Sequence, residues 1–189
     1  MFLNILFKEI KWIFIRKRLE KIKLLIFDVD GVLTDGYLFY DHQGNQIKRF
    51  SVKDGLGIRY LQKAGLNICI VSGGEEDVIN NRAKDLNIKH IYCCIKNKKE
   101  KVEILRDEFK VKKENILYVG DDLNDLTVRK VVGLLIAPND ASKELKKFCN
   151  AILKNNGGYG AVRELAERLL SGTKLLRSIE KDGFSELNN

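Results

Sequence analysis

The stretch LLIFDVDGVLTDG, residues 24 to 36, decides how this chain is read. Leu24, Leu25, Ile26 and Phe27 make an apolar run of strand length, which Asp28-Val29-Asp30-Gly31 then breaks. A short, continuous apolar run bounded by a turn is the pattern of a strand buried on both faces. Two carboxylates one residue apart at the end of such a strand are costly to hold ionised. A bound cation or a polar reaction offsets that cost, and the glycine behind them lets the backbone turn sharply. The stretch predicts an active site on the rim of a sheet.

Working outward, 189 residues are enough for one substantial domain. A content of 44% hydrophobic and 32% charged residues fits a globular chain and excludes a disordered one. The net charge of +8 raises the question of nucleic acid. The basic residues are scattered, however, around Lys8 to Lys23, Lys96 to Lys101 and Lys143 to Lys147, without aromatics interleaved for stacking. No nucleic-acid partner is expected, and attraction of an anionic substrate is the reading. Cys69, Cys93, Cys94 and Cys149 form no CxxC pair and follow no signal-peptide pattern, so reduced thiols in a cytoplasmic protein are expected.

Residues 1–22 read as a basic amphipathic N-terminal helix, with Phe2, Leu3, Leu6, Phe7, Ile10, Ile13 and Phe14 at helical spacing. The run is too short and too interrupted by charge to cross a bilayer. It is expected to pack on the body or on a neighbouring subunit, with contact to a membrane surface through residues 1–23 as the alternative. Residues 23–170 read as the main domain and residues 171–189 as a loosely held C-terminal tail. Tyr37–Asp41 and Gln46–Phe50, joined by His42-Gln43-Gly44-Asn45, predict a β-hairpin. Further strands over Leu66–Val71, His90–Cys93, Ile116–Val119, Gly133–Ile136 and Ala151–Leu153 alternate with helical patterns. The fold class expected is α/β: a three-layer, Rossmann-like parallel sheet with helices on both faces, a hairpin insertion after the first strand and no large cap domain.

Polar residues now stand at four strand ends: Asp28 and Asp30, Ser72, Lys98 just past the third, and Asp121 with Asp122. Ligands of open α/β sheets bind outside the carboxyl ends of the strands, so these groups can converge. Their types suit phosphoryl transfer. A carboxylate can attack phosphorus, a second acid can move protons, and a hydroxyl and an ammonium can hold phosphoryl oxygens. A pocket rich in anionic oxygen suits Mg²⁺. Taken singly, DVD or GDDLND could be a helix-capping turn; both together, in order and each directly after an apolar strand, argue for a site.

DVDGVLTDG, the VSGG strand end, a following lysine and YVGDDLND together resemble the haloacid dehalogenase superfamily of phosphohydrolases. More narrowly, residues 22 to 170 resemble the cap-lacking 3-deoxy-D-manno-octulosonate 8-phosphate phosphatases and the related nonulosonate 9-phosphate phosphatases. The resemblance implies Asp28 as nucleophile and Mg²⁺ ligand, and Asp30 as general acid/base that offers its backbone carbonyl to the metal. It implies Asp121 as the third metal ligand with Asp122 supporting the shell, and Ser72 and Lys98 on the phosphoryl group. Ser51, Gly73, Gly74 and Arg82 match substrate-contacting positions. The octulosonate phosphatases usually carry arginine where this chain has Gly74, which removes a contact to the sugar-acid carboxylate. The resemblance also implies a homotetramer in which the hairpins form a central barrel and a neighbour closes the mouth near GGYGAVREL.

The function expected is Mg²⁺-dependent hydrolysis of 3-deoxy-D-manno-octulosonate 8-phosphate through an aspartyl phosphate. The alternatives are a nonulosonate 9-phosphate or another small phosphorylated metabolite as substrate, or a non-enzymatic receiver-like or membrane-docked module. A receiver needs its phospho-acceptor after a middle strand, where this chain offers Tyr92-Cys93-Cys94.

Overall fold

The computed structural model describes residues 2–184, without the side chains of residues 2–8, 76 and 77. The chain opens with helix α1 (Phe2–Leu19) and enters strand β1 (Leu24–Phe27). A short antiparallel pair follows, β2 (Phe39–Tyr40) and β3 (Gln46–Ile47). Then come α2 (Val52–Lys63), β4 (Asn67–Val71), α3 (Glu76–Asp85), β5 (His90–Tyr92), α4 (Lys98–Glu108) and β6 (Ile116–Val119). The chain completes the body with β7 (Leu134–Ala137), α5 (Lys143–Lys146), β8 (Ala151–Ile152), α6 (Ala161–Leu170) and α7 (Lys174–Asp182).

Six strands form one sheet in the order β5-β4-β1-β6-β7-β8, and every pairing is parallel. The opening stretch is thus central, with β4 on one side and β6 on the other. Side chains alternate across a strand, and those of β1 feed two cores. Leu25 and Phe27 pack with Ile58, Leu61 and Val119, whereas Leu24 and Ile26 pack with Val71, Leu105 and Tyr118. All four β1 residues are fully buried, which explains the uninterrupted apolar run. The order reverses beside β1, since β4 lies to one side and β6 to the other, and that is where an open α/β sheet leaves a crevice for ligand.

Local chemistry sets the helix starts beside that crevice. Ser51 caps α2 by accepting from the Asp54 amide, and Asn97 caps α4 by accepting from the Glu100 amide. The cap at Asn97 makes Lys98 the first residue of its helix, at the carboxyl edge of the sheet.

Three expectations change. The hairpin is shorter than the sequence suggests, two residues a side, because Asp41 accepts from the amides of Gln43 and Asn45 and rounds the turn early. The N-terminal helix does pack on the body, but through Trp12, Ile15 and Leu19 rather than through Ile13 and Phe14. The Trp12 indole N–H donates to the Ile152 carbonyl at 3.2 Å, which fixes α1 against the edge strand β8. The side chains of Phe2, Leu3, Leu6 and Phe7 lie outside the described residues. The tail, lastly, is a helix over its middle: Thr173 caps α7, Leu176 and Ile179 are buried, and Phe184 meets Tyr60 at a centroid distance of 5.0 Å. Two apolar residues three apart are too short a pattern to announce that helix. Residues 185–189 lie outside the description. Among the described residues no helix is long and apolar enough to cross a membrane.

Candidate active site

Asp28 is the first residue past β1 and still holds the ladder, its amide donating to the Val119 carbonyl at 3.0 Å. Its side chain is buried and faces Lys98, whose Nζ lies 2.7 Å from Asp28 Oδ2. The same ammonium lies 2.6 Å from Asp125 Oδ1, so one buried cation is shared by two buried carboxylates. Asp125 is fully enclosed and also accepts from the Tyr118 hydroxyl at 2.8 Å and from the Asp121 amide at 2.9 Å. Both of its oxygens are therefore committed to donors. Asp125 fixes Lys98 and the turn after β6, leaving Asp28 and Asp121 to face the crevice.

Asp121 comes close because Gly31 has no side chain: a methyl group there would fall 2.1 Å from Asp121 Oδ2, and φ at Gly31 is +73°. A second close approach braces the same loop from behind. A methyl on Gly157 would lie 1.9 Å from the Gly31 carbonyl, so the GGYG segment seats directly on the acidic turn.

The electrostatics follow from this crowding. Burial, reinforced by the charge of Asp125 and opposed by Lys98, pushes the Asp28 carboxyl up to about 7. Burial and then the charges of Asp28, Asp125 and Asp122 push Asp121 up to about 8. For Lys98, burial pulls downward, but the charges of Asp28 and Asp125 prevail and its pKa is raised. One oxygen from each of Asp28, Asp121 and Asp125 lies within 4.8 Å of the others. Three carboxylates against one ammonium leave an excess of negative charge in an all-oxygen pocket. That donor set fits a hard divalent cation such as Mg²⁺.

Asp30 stands apart from this cluster. Its two oxygens each lie 2.7 Å from Lys48 Nζ, a buried ammonium on the residue just past β3. The Thr34 hydroxyl donates weakly to Asp30 at 3.4 Å. Ser72 is buried at the end of β4, and its Oγ accepts from the Gly74 amide at 3.0 Å. Gly74 borders this group: a methyl there would lie 3.2 Å from Asp30 Oδ2, 3.2 Å from Lys48 Nζ and 3.3 Å from Ser72 Oγ. Gly73 beside it is exposed.

The structure thus brings Asp28, Lys98 and Asp121 together, with Asp30, Ser72 and Gly74 around Lys48. Ser51 and Arg82 form a separate pair. Ser51 is spent on capping α2, and Arg82 donates to the Ser51 carbonyl at 3.0 Å. Neither shares a polar contact with Asp28, Asp30 or Asp121 among the described residues. Asp122 faces solvent, where support of the metal shell would run through water, and its carboxylate accepts from the Leu123 amide at 2.7 Å. Sequence reasoning missed two residues. Asp125 had a signal, being the last acid of GDDLND, where a tight turn returns the fourth residue after Asp121 beneath the strand end. Lys48 had none, since it is one basic residue in a short extended run.

The chain as a whole is similar to known proteins. Residues 51–133 match the haloacid dehalogenase-like hydrolase family. The chain is 38% identical over 151 residues to the 3-deoxy-D-manno-octulosonate 8-phosphate phosphatase of Escherichia coli K12, covering 80% of each chain. Among solved structures, the Yersinia pestis 3-deoxy-D-manno-octulosonate 8-phosphate phosphatase superposes with a TM-score of 0.83 at 35% identity, over 86% of this chain and 88% of that one. The Moraxella catarrhalis enzyme of the same name, solved with magnesium ion, phosphate ion and KDO, gives a TM-score of 0.81 at 32% identity, over 88% and 94%.

Proposed function

Since the chain belongs to the 3-deoxy-D-manno-octulosonate 8-phosphate phosphatases, within the haloacid dehalogenase-like hydrolases, we propose that it releases phosphate from that sugar-acid phosphate by way of an aspartyl phosphate on Asp28. One observation carries the reading: a buried carboxylate at the end of β1, 2.7 Å from a buried lysine, with two further carboxylates beside it.

Asp28 Oδ attacks the phosphorus, and the bond to the sugar oxygen breaks. In this reading Asp30 gives a proton to that leaving oxygen and then takes one from the water that cleaves the acyl phosphate. The Ser72 hydroxyl and the Lys98 ammonium are the donors available to the phosphoryl oxygens, and Lys98 is aimed by Asp125. Asp28 and Asp121, with the Asp30 backbone carbonyl, are the groups that would hold Mg²⁺. The ion supplies positive charge that lets an anionic nucleophile meet an anionic ester. Lys48, with both Asp30 oxygens in reach, holds that carboxylate in place between the turns.

Ser51, Gly73, Gly74 and Arg82 belong to this proposal as the substrate-side wall. Gly74 favours a second reading as well, a nonulosonate 9-phosphate, because it brings no guanidinium to the sugar-acid carboxylate. Assembly into a homotetramer is supported by the exposed apolar residues Tyr37, Phe39, Tyr40 and Ile47 in and beside the hairpin, where Phe39 and Ile47 are cross-strand partners. A cytoplasmic location is supported by the free thiols of Cys69, Cys94 and Cys149.

A comparison of catalytic efficiency across octulosonate 8-phosphate, nonulosonate 9-phosphate and simple sugar phosphates, each with and without Mg²⁺, tests the proposal. It expects one sugar-acid phosphate to exceed the simple phosphates by about a hundredfold. A flat profile across the panel would overturn the substrate assignment.

A further inference from the structure

Helix α1 has a second apolar face that docking on the body does not use. Trp12, Ile15 and Leu19 turn inward, and Trp12 is 6% exposed. On the other side Ile13 and Phe14 are 71% and 78% exposed. Ile10, four residues before Phe14, is half-buried, so the outward positions Ile10, Ile13 and Phe14 form a stripe rather than a single residue. The helix contains one acid, Glu9, and it is already engaged by Arg168 at 2.8 Å and Lys154 at 3.1 Å.

The charge on the Phe14 side of the helix is mostly positive, whereas the pocket beside Ile13 mixes Glu164, Glu167 and Glu180 with Arg16, Lys154 and Arg168. Arg16, Lys17 and Arg18 make up the basic last turn of α1. Arg18 lies four residues after Phe14, hence next to it on the helix surface. Its guanidinium donates to the Gly133 carbonyl and lines an open basin together with Lys113, Arg129 and Lys147, against a single acid, Glu114. The same basin includes Phe148, which is 45% exposed and stacked under Arg129 at 4.6 Å. Aromatic and aliphatic side chains thus project from a surface edged by cations, while the helix is held to the domain from behind.

We infer that this face seats the enzyme on an anionic membrane surface, with Ile13 and Phe14 entering the acyl boundary and the Arg18 basin meeting lipid phosphates. Apolar burial and headgroup attraction are the two contributions that hold an amphipathic helix in the interface plane. The active site lies elsewhere on the domain, at the carboxyl ends of β1, β4 and β6, so docking leaves the chemistry unaltered. A covering by a second copy of the chain accounts for the apolar residues but not for the cations of the last turn and of the Arg18 basin beside Phe14.

The test is flotation of the full-length protein with vesicles of phosphatidylcholine alone and with vesicles in which about one third is phosphatidylglycerol. The inference expects binding to the anionic vesicles and at least tenfold less to the neutral ones. Joint Ile13→Ser and Phe14→Ser changes are expected to weaken binding by roughly tenfold or more, and Lys17→Glu by about fivefold, with phosphate-ester turnover unchanged in both. High salt is expected to release the protein. Failure to float with anionic vesicles would overturn the inference, as would equal binding to neutral ones or indifference to the paired serine change. So would a result in which that change alters the oligomeric size in the absence of lipid and leaves flotation alone, since a second copy would then own the face.

Discussion

Asp125 offers a sharp perturbation because its carboxylate is fully buried and both oxygens are occupied. Asp125→Asn keeps the shape and removes the charge. The new amide must point its NH₂ either at the Lys98 ammonium and the Tyr118 hydroxyl or at the Asp121 amide, and each of these is a donor. At least one buried donor then loses its acceptor, and Lys98 keeps Asp28 as its remaining buried carboxylate partner. Breaking one side of a buried ion pair costs about 3–5 kcal/mol, and the surviving Asp28 contact places this case near the lower end, about 3 kcal/mol. For a domain of this size that corresponds to a fall of roughly 6–12 °C in Tm. With Lys98 no longer aimed from behind, kcat is expected to fall by about a hundredfold. Urea unfolding followed by tryptophan fluorescence gives the first quantity, and phosphate release under saturating Mg²⁺ gives the second. A variant within about 0.5 kcal/mol of the wild type and within threefold in kcat would refute the view that Asp125 organises the site.

Other consequences can be measured as directly. Asp28 and Asp121 are held near 7 and 8, above the ordinary carboxylate value. A carboxyl raised in the folded state favours folding below its unfolded pKa and loses that contribution as pH climbs to the folded value. Between about pH 4 and 8 these two groups therefore erode the stability of the cation-free protein. The rise in Tm on adding Mg²⁺ is expected to be small at about pH 6 and larger at about pH 8.5, and a rise that shrinks with pH would contradict the reasoning. Lys48→Met releases Asp30, and the expected loss is about a hundredfold in kcat on a sugar phosphate but far less on p-nitrophenyl phosphate, whose leaving oxygen needs little help from an acid. Equal losses on the two esters would mean that Lys48 serves structure rather than proton transfer. Trp12→Ala removes a large buried ring and its bond to the Ile152 carbonyl, with about 3–5 kcal/mol lost in unfolding experiments and KM unchanged.

What the sequence made legible was whatever depended on strand ends. Leu24–Phe27 had to be a doubly buried strand, and once the parallel order was read, Asp28, Ser72, Lys98 and Asp121 had to share one edge. The structure adds why Lys98 reaches that edge: Asn97 caps the helix and Lys98 opens it. Less legible was anything that depended on turns too short to carry a period. Asp122 and Asp125 are both acids of GDDLND, and only the tight turn after β6 decides that one faces solvent and the other lies beneath Lys98. Lys48 is set by how the hairpin folds back on the acidic loop, a long-range contact with no local pattern. The stripe of α1 was read as one face, whereas the helix has two: Trp12, with its polar N–H, gave the inward side, and the more obvious Ile13 and Phe14 gave the outward one.

The central claim is that Asp28 carries the phosphoryl group between the two half-reactions. Rapid quenching during turnover of octulosonate 8-phosphate, followed by borohydride reduction and peptide mass spectrometry, reads this directly. An acyl phosphate at residue 28 is reduced to homoserine, and the account predicts that product at position 28 alone, only when Mg²⁺ and substrate are both present. Turnover without homoserine at position 28, or with the reduced residue at Asp30 or Asp121 instead, would contradict it.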